Sequence, residues 1–154
     1  MAIAEHASFL TVDHFSEGCK KVFSDSSAAK NMKLHRTKCK NIVVNVLAPH
    51  FTESLRQDIG GSRYSLLIDE STDISVVKIL GITVRYFSKG LQKIVSTYLG
   101  LVEIADGTAV SIVLAIKNLL QNVELEPQNL VGVGVDNATV NTGINNGVIE
   151  MLRK

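Results

Sequence analysis

The hydrophobic residues in the first third of the chain recur with a helical period. A spacing of four residues joins Val43, Leu47, Phe51, Leu55 and Ile59. This spacing predicts a helix with one apolar stripe, and a shorter helix upstream is expected to close at residues 24–27. Because Pro49 lacks a backbone N–H, we expect the long helix to kink or break near Ala48. The glycines and serine at 60–62 then predict the end of the helical part.

From residue 64 onward the pattern is typical of alternating strands and helices. Two short apolar runs, 64–68 and 130–135, predict buried strands that each end at an acid, Asp69 and Asp136 respectively. Segments 78–87 and 93–104 are rich in β-branched and aromatic residues, and turn-forming residues between them predict a hairpin. Along the first of these segments the apolar residues alternate on one face, namely Leu80, Ile82, Val84 and Tyr86.

Asp106 is a favourable N-cap for a helix up to about residue 123, and a last helix is expected to begin at residue 141 or 142. The first of these helices is expected to carry an apolar stripe formed by Ala109, Val113, Ile116 and Leu120.

The order of these elements is strand, strand, strand, helix, strand, helix. It predicts an α/β fold, an incomplete ribonuclease H-like domain preceded by an α-helical segment, with boundaries at 1–61 and 62–154. In this arrangement the first and fourth strands lie side by side. The carboxyl ends of such strands form the rim where α/β sheets bind ligands, so we expect Asp69 and Asp136 to be neighbours there.

The composition of the chain limits the classes of protein to which it can belong. The chain has 154 residues, of which 45% are hydrophobic, so it is long enough to bury the core of one globular domain. Its two cysteines form no metal-binding pair, and no apolar run approaches the about 18 residues of a membrane span, which predicts an intracellular protein with no membrane partner.

The net charge is only +1, but residues 20–40 carry seven cations against the single acid Asp25. A local basic surface is therefore one interpretation, and a solvated helix face is the other. Under the first interpretation, DNA is a candidate partner. The candidate phosphate contacts are Lys33, Arg36, Lys38 and Lys40.

Six short segments of the chain carry a resemblance to one family, namely 4–6, 9–14, 65–73, 84–87, 99–102 and 130–136. Together they resemble the transposase domain of the hAT superfamily, and in particular its zinc-finger MYM-type and BED-type relatives. The resemblance implies a ribonuclease H-like core in which Asp69, Asp136 and a later glutamate hold Mg²⁺ or Mn²⁺ for DNA strand cleavage and transfer. It also favours a nuclear location.

The chain departs from that family in two ways. Asn137 follows the second aspartate where the family usually has glycine, and the sequence stops at Lys154, before the expected third acid. Two aspartates alone would hold at most one hard cation weakly. Because a further parallel strand normally follows in this fold, we also expect the fourth strand to be an unpaired edge that favours self-association.

Other chemistries fit the residues less well. The glycines at 132 and 134 lack the third glycine of a dinucleotide-binding loop, and no serine or cysteine lies in the context of a catalytic triad. We therefore expect a transposase-derived fragment without catalytic activity that serves at most as a nuclear DNA- or protein-binding module. The alternative is a metal-dependent transposase or nuclease whose third acidic ligand lies in a missing C-terminal segment.

Overall fold

A computed structural model describes residues 7–72, 77–135 and 148–153. The chain divides into two compact units, Met1–Phe51 and Thr52–Lys154. Each unit is described by itself below. The predicted domain boundary between residues 61 and 62 stays a prediction.

The first unit is helical. Its described elements are α1 Thr11–Val22, α2 Ser27–Lys30, α3 Arg36–Ile42, a π-helical segment Val43–Leu47, and the beginning of α4 Ala48–Ile59. Val12 and Ser16 on α1 are buried, and the Ser16 hydroxyl donates a hydrogen bond to the carbonyl of Leu34. This bond ties α1 to the segment that leads into α3. Both cysteines, Cys19 on α1 and Cys39 on α3, are free.

The segment at 24–27 does not simply close the upstream helix. Ser27 begins the short helix α2, and the Ser26 side chain accepts a hydrogen bond from the Ala29 N–H at 3.3 Å. Serine is a favourable N-cap because its oxygen satisfies a donor that the first turn leaves unpaired. The serines that predicted a loop therefore also initiate a helical turn.

The helix around Pro49 does not break. Helix α3, the π-helical segment and α4 follow one another directly, and the Ala48 N–H bonds to the carbonyl of Val43, five residues earlier. A single π-helical turn inside an α-helix is a recognised cause of local irregularity in that helix. The helix is thus irregular close to Pro49, as expected, but the irregularity is a change in the backbone hydrogen-bond pattern at Val43–Leu47.

The second unit contains a four-stranded sheet in the order β3-β2-β1-β4. Strands β1 to β3 form an antiparallel meander, and β4 pairs with β1 in parallel, which confirms the predicted α/β fold and strand order. The elements are β1 Tyr64–Thr72, β2 Lys78–Ser88, β3 Lys93–Ile104, α5 Ala109–Asn122, a 3₁₀ turn Pro127–Asn129, β4 Leu130–Gly134 and α6 Val148–Arg153.

One face of the sheet, here called the closed face, packs against the helices. Leu66, Ile82 and Val84 on this face are at most 1% exposed, and the α5 residues Ile112 and Ile116 are equally buried in the same core. The alternation predicted along β2 and the apolar stripe predicted for the helix are both confirmed. Val148 at the start of α6 joins this core.

Asp58 links the end of α4 to the β2–β3 hairpin. Its carboxylate accepts hydrogen bonds from the Tyr86 hydroxyl at 2.8 Å and from the Gly90 N–H at 3.0 Å. Hydrogen bonds from Ser88, Gly90 and Tyr86 lower the pKa of Asp58, while burial and the bond to Asp58 raise the pKa of Tyr86 to about 12. Gly60, with a positive φ of 52°, then ends α4 as predicted.

Two details of the second unit differ from the sequence-based expectation. The N-cap of α5 is Thr108 and not Asp106. Strand β4 is only half-buried, and Val131, which falls at an irregularity in the β1–β4 register, is 59% exposed. Because β4 pairs with β1 alone among the described strands, one of its edges carries no partner strand there.

The predicted start of the last helix at residue 141 or 142 lies outside the described residues. No helix in the described part of the chain is long and apolar enough to span a membrane.

Candidate functional site

The face of the sheet opposite α5, here called the open face, contains a groove of about 450 Å³ around Asp69. Thr83 of β2 and Tyr98 and Leu101 of β3 line this groove, together with Leu67 of β1. Gly81 and Gly134 also contribute to it. The described lining of the groove is therefore mostly apolar, with one carboxylate and two hydroxyl groups.

Asp69 does not end its strand. Strand β1 continues to Thr72 because β2 pairs with it along its whole length, and Asp69 lies opposite Gly81. The parallel pairing with β4 stops earlier, at the pair Leu67 and Gly134. The expectation of a carboxylate at the strand terminus was wrong, since antiparallel pairing extends the strand by three residues beyond Asp69. The Asp69 side chain is exposed.

The second predicted acid, Asp136, lies outside the described residues, as does Asn137. Val135, the last described residue before them, lines the same groove as Asp69. The proximity of Asp69 and Asp136 stays a prediction.

Glu70 lies on the face of β1 opposite Asp69, as expected from strand alternation. It accepts a hydrogen bond from the Lys78 ammonium group, with the Nζ and Oε1 atoms 3.0 Å apart. Its carboxylate is thus directed away from the groove and is partly neutralised.

Asp106 is the carboxylate with the most strongly shifted pKa in the described part of the second unit. Hydrogen bonds from Thr108 and Ser111, with a smaller contribution from Lys78, lower its pKa to about 2. Its Oδ1 atom accepts bonds from the Thr108 N–H at 3.0 Å and the Thr108 hydroxyl at 2.6 Å. These bonds organise the start of α5, so the shift has a structural cause.

Among the described residues, few side chains are placed to act together as ligands of a metal ion. Within residues 7–72, 77–135 and 148–153, no group of three His, Cys, Asp or Glu side chains could hold a metal ion. A two-metal centre for phosphodiester chemistry requires several carboxylates. The described residues alone, with Asp69 as the carboxylate in the groove, do not fit such a centre.

The basic residues predicted to contact nucleic acid belong to the first unit. Lys33, Arg36, Lys38 and Lys40 are all exposed. Asp13 accepts a hydrogen bond from the Arg36 N–H at 2.9 Å, and its other oxygen lies 3.6 Å from the Arg36 Nε atom. Part of the Arg36 charge is therefore offset, while none of the three lysines forms an ion pair with an acid in the described segments.

Sequence reasoning did not find the residues that surround Asp69. Thr83, Tyr98 and Leu101 come from β2 and β3, and a register irregularity between Ile82 and Thr83 determines which residues of β3 lie on the open face. Hairpin pairing alone could have identified Gly81 and its neighbours as residues adjacent to Asp69. The irregularity itself left no recognisable signal in the sequence.

Comparison with known families identifies the group to which the chain belongs. The sequence model of the ZMYM1/FAM200 RNase-like domain family matches residues 6–147. The chain belongs to this family. No curated protein matches the chain significantly. Membership of the ZMYM1/FAM200 family agrees with the mixed sheet and its preceding helices, and it supports a transposase-derived RNase-like domain.

Proposed function

We propose that this RNase-like domain derives from a transposase of the hAT superfamily, binds duplex DNA through its basic first unit, and does not cleave DNA. Its place of action is the nucleus. The observation that carries the proposal is the exposure of the lysines at 33, 38 and 40 together with Arg36, all within eight residues. Exposed cations of this density are suited to phosphate contacts, which supply most of the affinity for DNA.

The lack of cleavage is supported by the surroundings of Asp69. Among the described residues, the lining of the groove around it is otherwise apolar or bears hydroxyl groups, and Glu70 is bound by Lys78 on the other face. A single carboxylate with water ligands binds a hard cation such as Mg²⁺ or Mn²⁺ only weakly. Strand cleavage needs a more complete set of carboxylates.

A second candidate function, a metal-dependent DNA-cleaving enzyme, is favoured by the register of the parallel strands. Leu67 pairs with Gly134, and each lies two residues before an aspartate, Asp69 and Asp136. This pairing supports the hypothesis that the two acids share one site. The enzyme would still require a third acidic ligand from another segment.

Duplex binding is tested by fluorescence anisotropy with a labelled 20-base-pair duplex at several salt concentrations. We expect the triple variant of Lys33→Ala, Lys38→Ala and Lys40→Ala to bind the duplex more weakly. The slope of the logarithm of its binding constant against the logarithm of the salt concentration should also become shallower, by about 0.9 for each phosphate that is no longer neutralised. The matched control is Lys117→Ala, which removes an exposed helix lysine from the second unit. Equal binding by the triple variant and the native chain would refute the proposal.

Cleavage is tested separately with supercoiled plasmid in the presence of Mg²⁺ or Mn²⁺. We expect no nicking by the native chain. Nicking that disappears in Asp69→Asn would instead establish the enzyme. Microscopy of the fluorescently tagged chain tests the proposed nuclear location.

A further inference from the structure

Two aromatic side chains are displayed on the open face of the sheet. Tyr98 of β3 is 62% exposed and Phe87 of β2 is 46% exposed, whereas the other tyrosines, Tyr64 and Tyr86, are buried in the core. Tyr98 lies opposite Thr83, and Phe87 is four residues further along β2, a separation of about 13 Å. The rings thus offer two separate flat apolar surfaces on a rigid support.

An unpaired cation lies between these two rings. Arg85 shares the open face with Phe87 and Thr83, is exposed, and forms no ion pair with any acid in the part of the chain that the structure describes. A guanidinium group pairs well with phosphate through two parallel hydrogen bonds. Its position between aromatic rings indicates a partner that carries an anion between flat groups.

The charges of the sheet are unevenly distributed along the strands. Among the described residues near the β2–β3 turn, the exposed cations Arg63, Lys89 and Lys93 accompany Arg85 and outnumber the acids at this end, Asp58 and Glu126. At the opposite end the charged groups are mainly carboxylates. They are Asp69, Glu70, Glu103 and Asp106, with Lys78 bound to Glu70. A polyanion is therefore attracted to the turn end and repelled from the Asp69 end.

We propose that the open face binds single-stranded nucleic acid, with bases stacked on Phe87 and Tyr98 and a phosphate paired with Arg85. This goes beyond the duplex binding proposed above and uses different residues. Bases in a duplex are stacked on each other and cannot lie flat on these rings, while every single-stranded base has an available face. An apolar protein segment would gain most from Leu101 and Ile94, and it would not require Arg85.

The test uses a fluorescein-labelled 12-mer of thymidine nucleotides and the full chain. We expect Tyr98→Ala and Phe87→Ala each to weaken binding about tenfold, and Tyr98→Phe to retain it because the ring is kept. Arg85→Ala should make the slope of the logarithm of the binding constant against the logarithm of the salt concentration shallower by about 0.7. The matched control is Leu114→Ala, which truncates an exposed residue of α5 outside the open face and should bind within about twofold of the native chain.

A second measurement uses intrinsic fluorescence. The chain has no tryptophan and Tyr98 is the exposed one of its three tyrosines, so stacking should quench emission in the native chain but not in Tyr98→Ala. No binding of the 12-mer at 50 mM salt, or native affinity in Tyr98→Ala, would overturn the proposal. So would an oligomer in sedimentation that Leu101→Ala dissociates, since the face would then bind protein.

The two DNA proposals can fail independently. The triple lysine variant of the first unit should lose duplex affinity and keep its affinity for the 12-mer, whereas Tyr98→Ala should show the reverse. Loss of both affinities in the triple variant would show that the 12-mer binds the first unit, and it would contradict the assignment to the open face.

Discussion

The closed and open faces of the sheet are built from alternate residues of the same strands, yet they differ sharply in burial. Leu66 is fully buried on the closed face, while its neighbour Leu67 is 44% exposed on the open face. The same contrast separates Tyr86, which is buried, from its neighbour Phe87 on β2, which is exposed. Because burial of apolar surface is the main stabilising term in folding, the closed face holds the fold together. The open face is left free to carry a binding function.

The two faces also differ in the space around their glycines. Gly100 faces Leu119 of α5, where an added Cβ would lie 2.9 Å from the Cδ1 atom, so it allows the helix to approach the sheet closely. Gly134 lies under Leu67, where an added Cβ would meet an exposed side chain that can turn into solvent. One glycine is therefore a packing requirement and the other is much less constrained.

The largest expected effect comes from truncating a closed-face leucine. Leu66→Ala should lower the free energy of unfolding by about 2–5 kcal/mol, because it removes buried methyl groups and leaves a cavity. Urea unfolding followed by circular dichroism measures this change. Leu67→Ala is the matched control and should change stability by only about 0.5 kcal/mol. Equal destabilisation in both variants would contradict the distinction between the faces.

A smaller effect is expected from filling the glycine positions. Gly100→Ala should destabilise by about 1–3 kcal/mol because the new methyl group crowds Leu119, while Gly134→Ala should cost about 0.5 kcal/mol. Thermal unfolding of both variants tests the difference. If crowding is the cause, adding Leu119→Ala to Gly100→Ala should cost less than the two separate changes predict. Strictly additive effects would show that Gly100 acts in another way.

Local patterns predicted much of the second unit. The period-two alternation of Leu80, Ile82, Val84 and Tyr86 identified the closed face of β2, and the observed β2 and β3 agree with the predicted segments to within one residue. Strand order followed from the sequence of elements, because three consecutive strands form a meander before a crossover helix. These features depend on residues close together in the chain.

Features set by pairing between distant segments were harder to predict. The end of β1 depends on how far β2 accompanies it, so Asp69 was expected at a terminus but lies inside the strand. The open-face positions of Tyr98 and Leu101 depend on an irregularity opposite Ile82 and Thr83. Asp106 and Thr108 are both good N-caps, and only the geometry distinguishes the one that begins the helix.

The smallest expected effect concerns the start of α5, the helix that covers the closed face. The Thr108 oxygen accepts a hydrogen bond from the Ser111 N–H at 3.3 Å, and its hydroxyl donates to Asp106. Thr108→Ala should therefore cost about 1 kcal/mol through removal of the cap. It should also raise the pKa of Asp106 from about 2 towards its ordinary value of 3.8, since the Thr108 hydroxyl is the largest cause of the shift.

The sign of the pH effect follows from the lowered pKa of Asp106 in the folded state. Its contribution to stability is fully present above the unfolded value of 3.8 and is lost as the pH falls through about 2. The stability difference between the native chain and Thr108→Ala should therefore shrink between pH 4 and pH 2. Carboxyl NMR titration and thermal melts at these pH values measure both effects, and Thr108→Ser, which keeps the hydroxyl, should behave like the native chain. An Asp106 pKa that stays near 2 in Thr108→Ala would assign the shift to Ser111 and Lys78 instead.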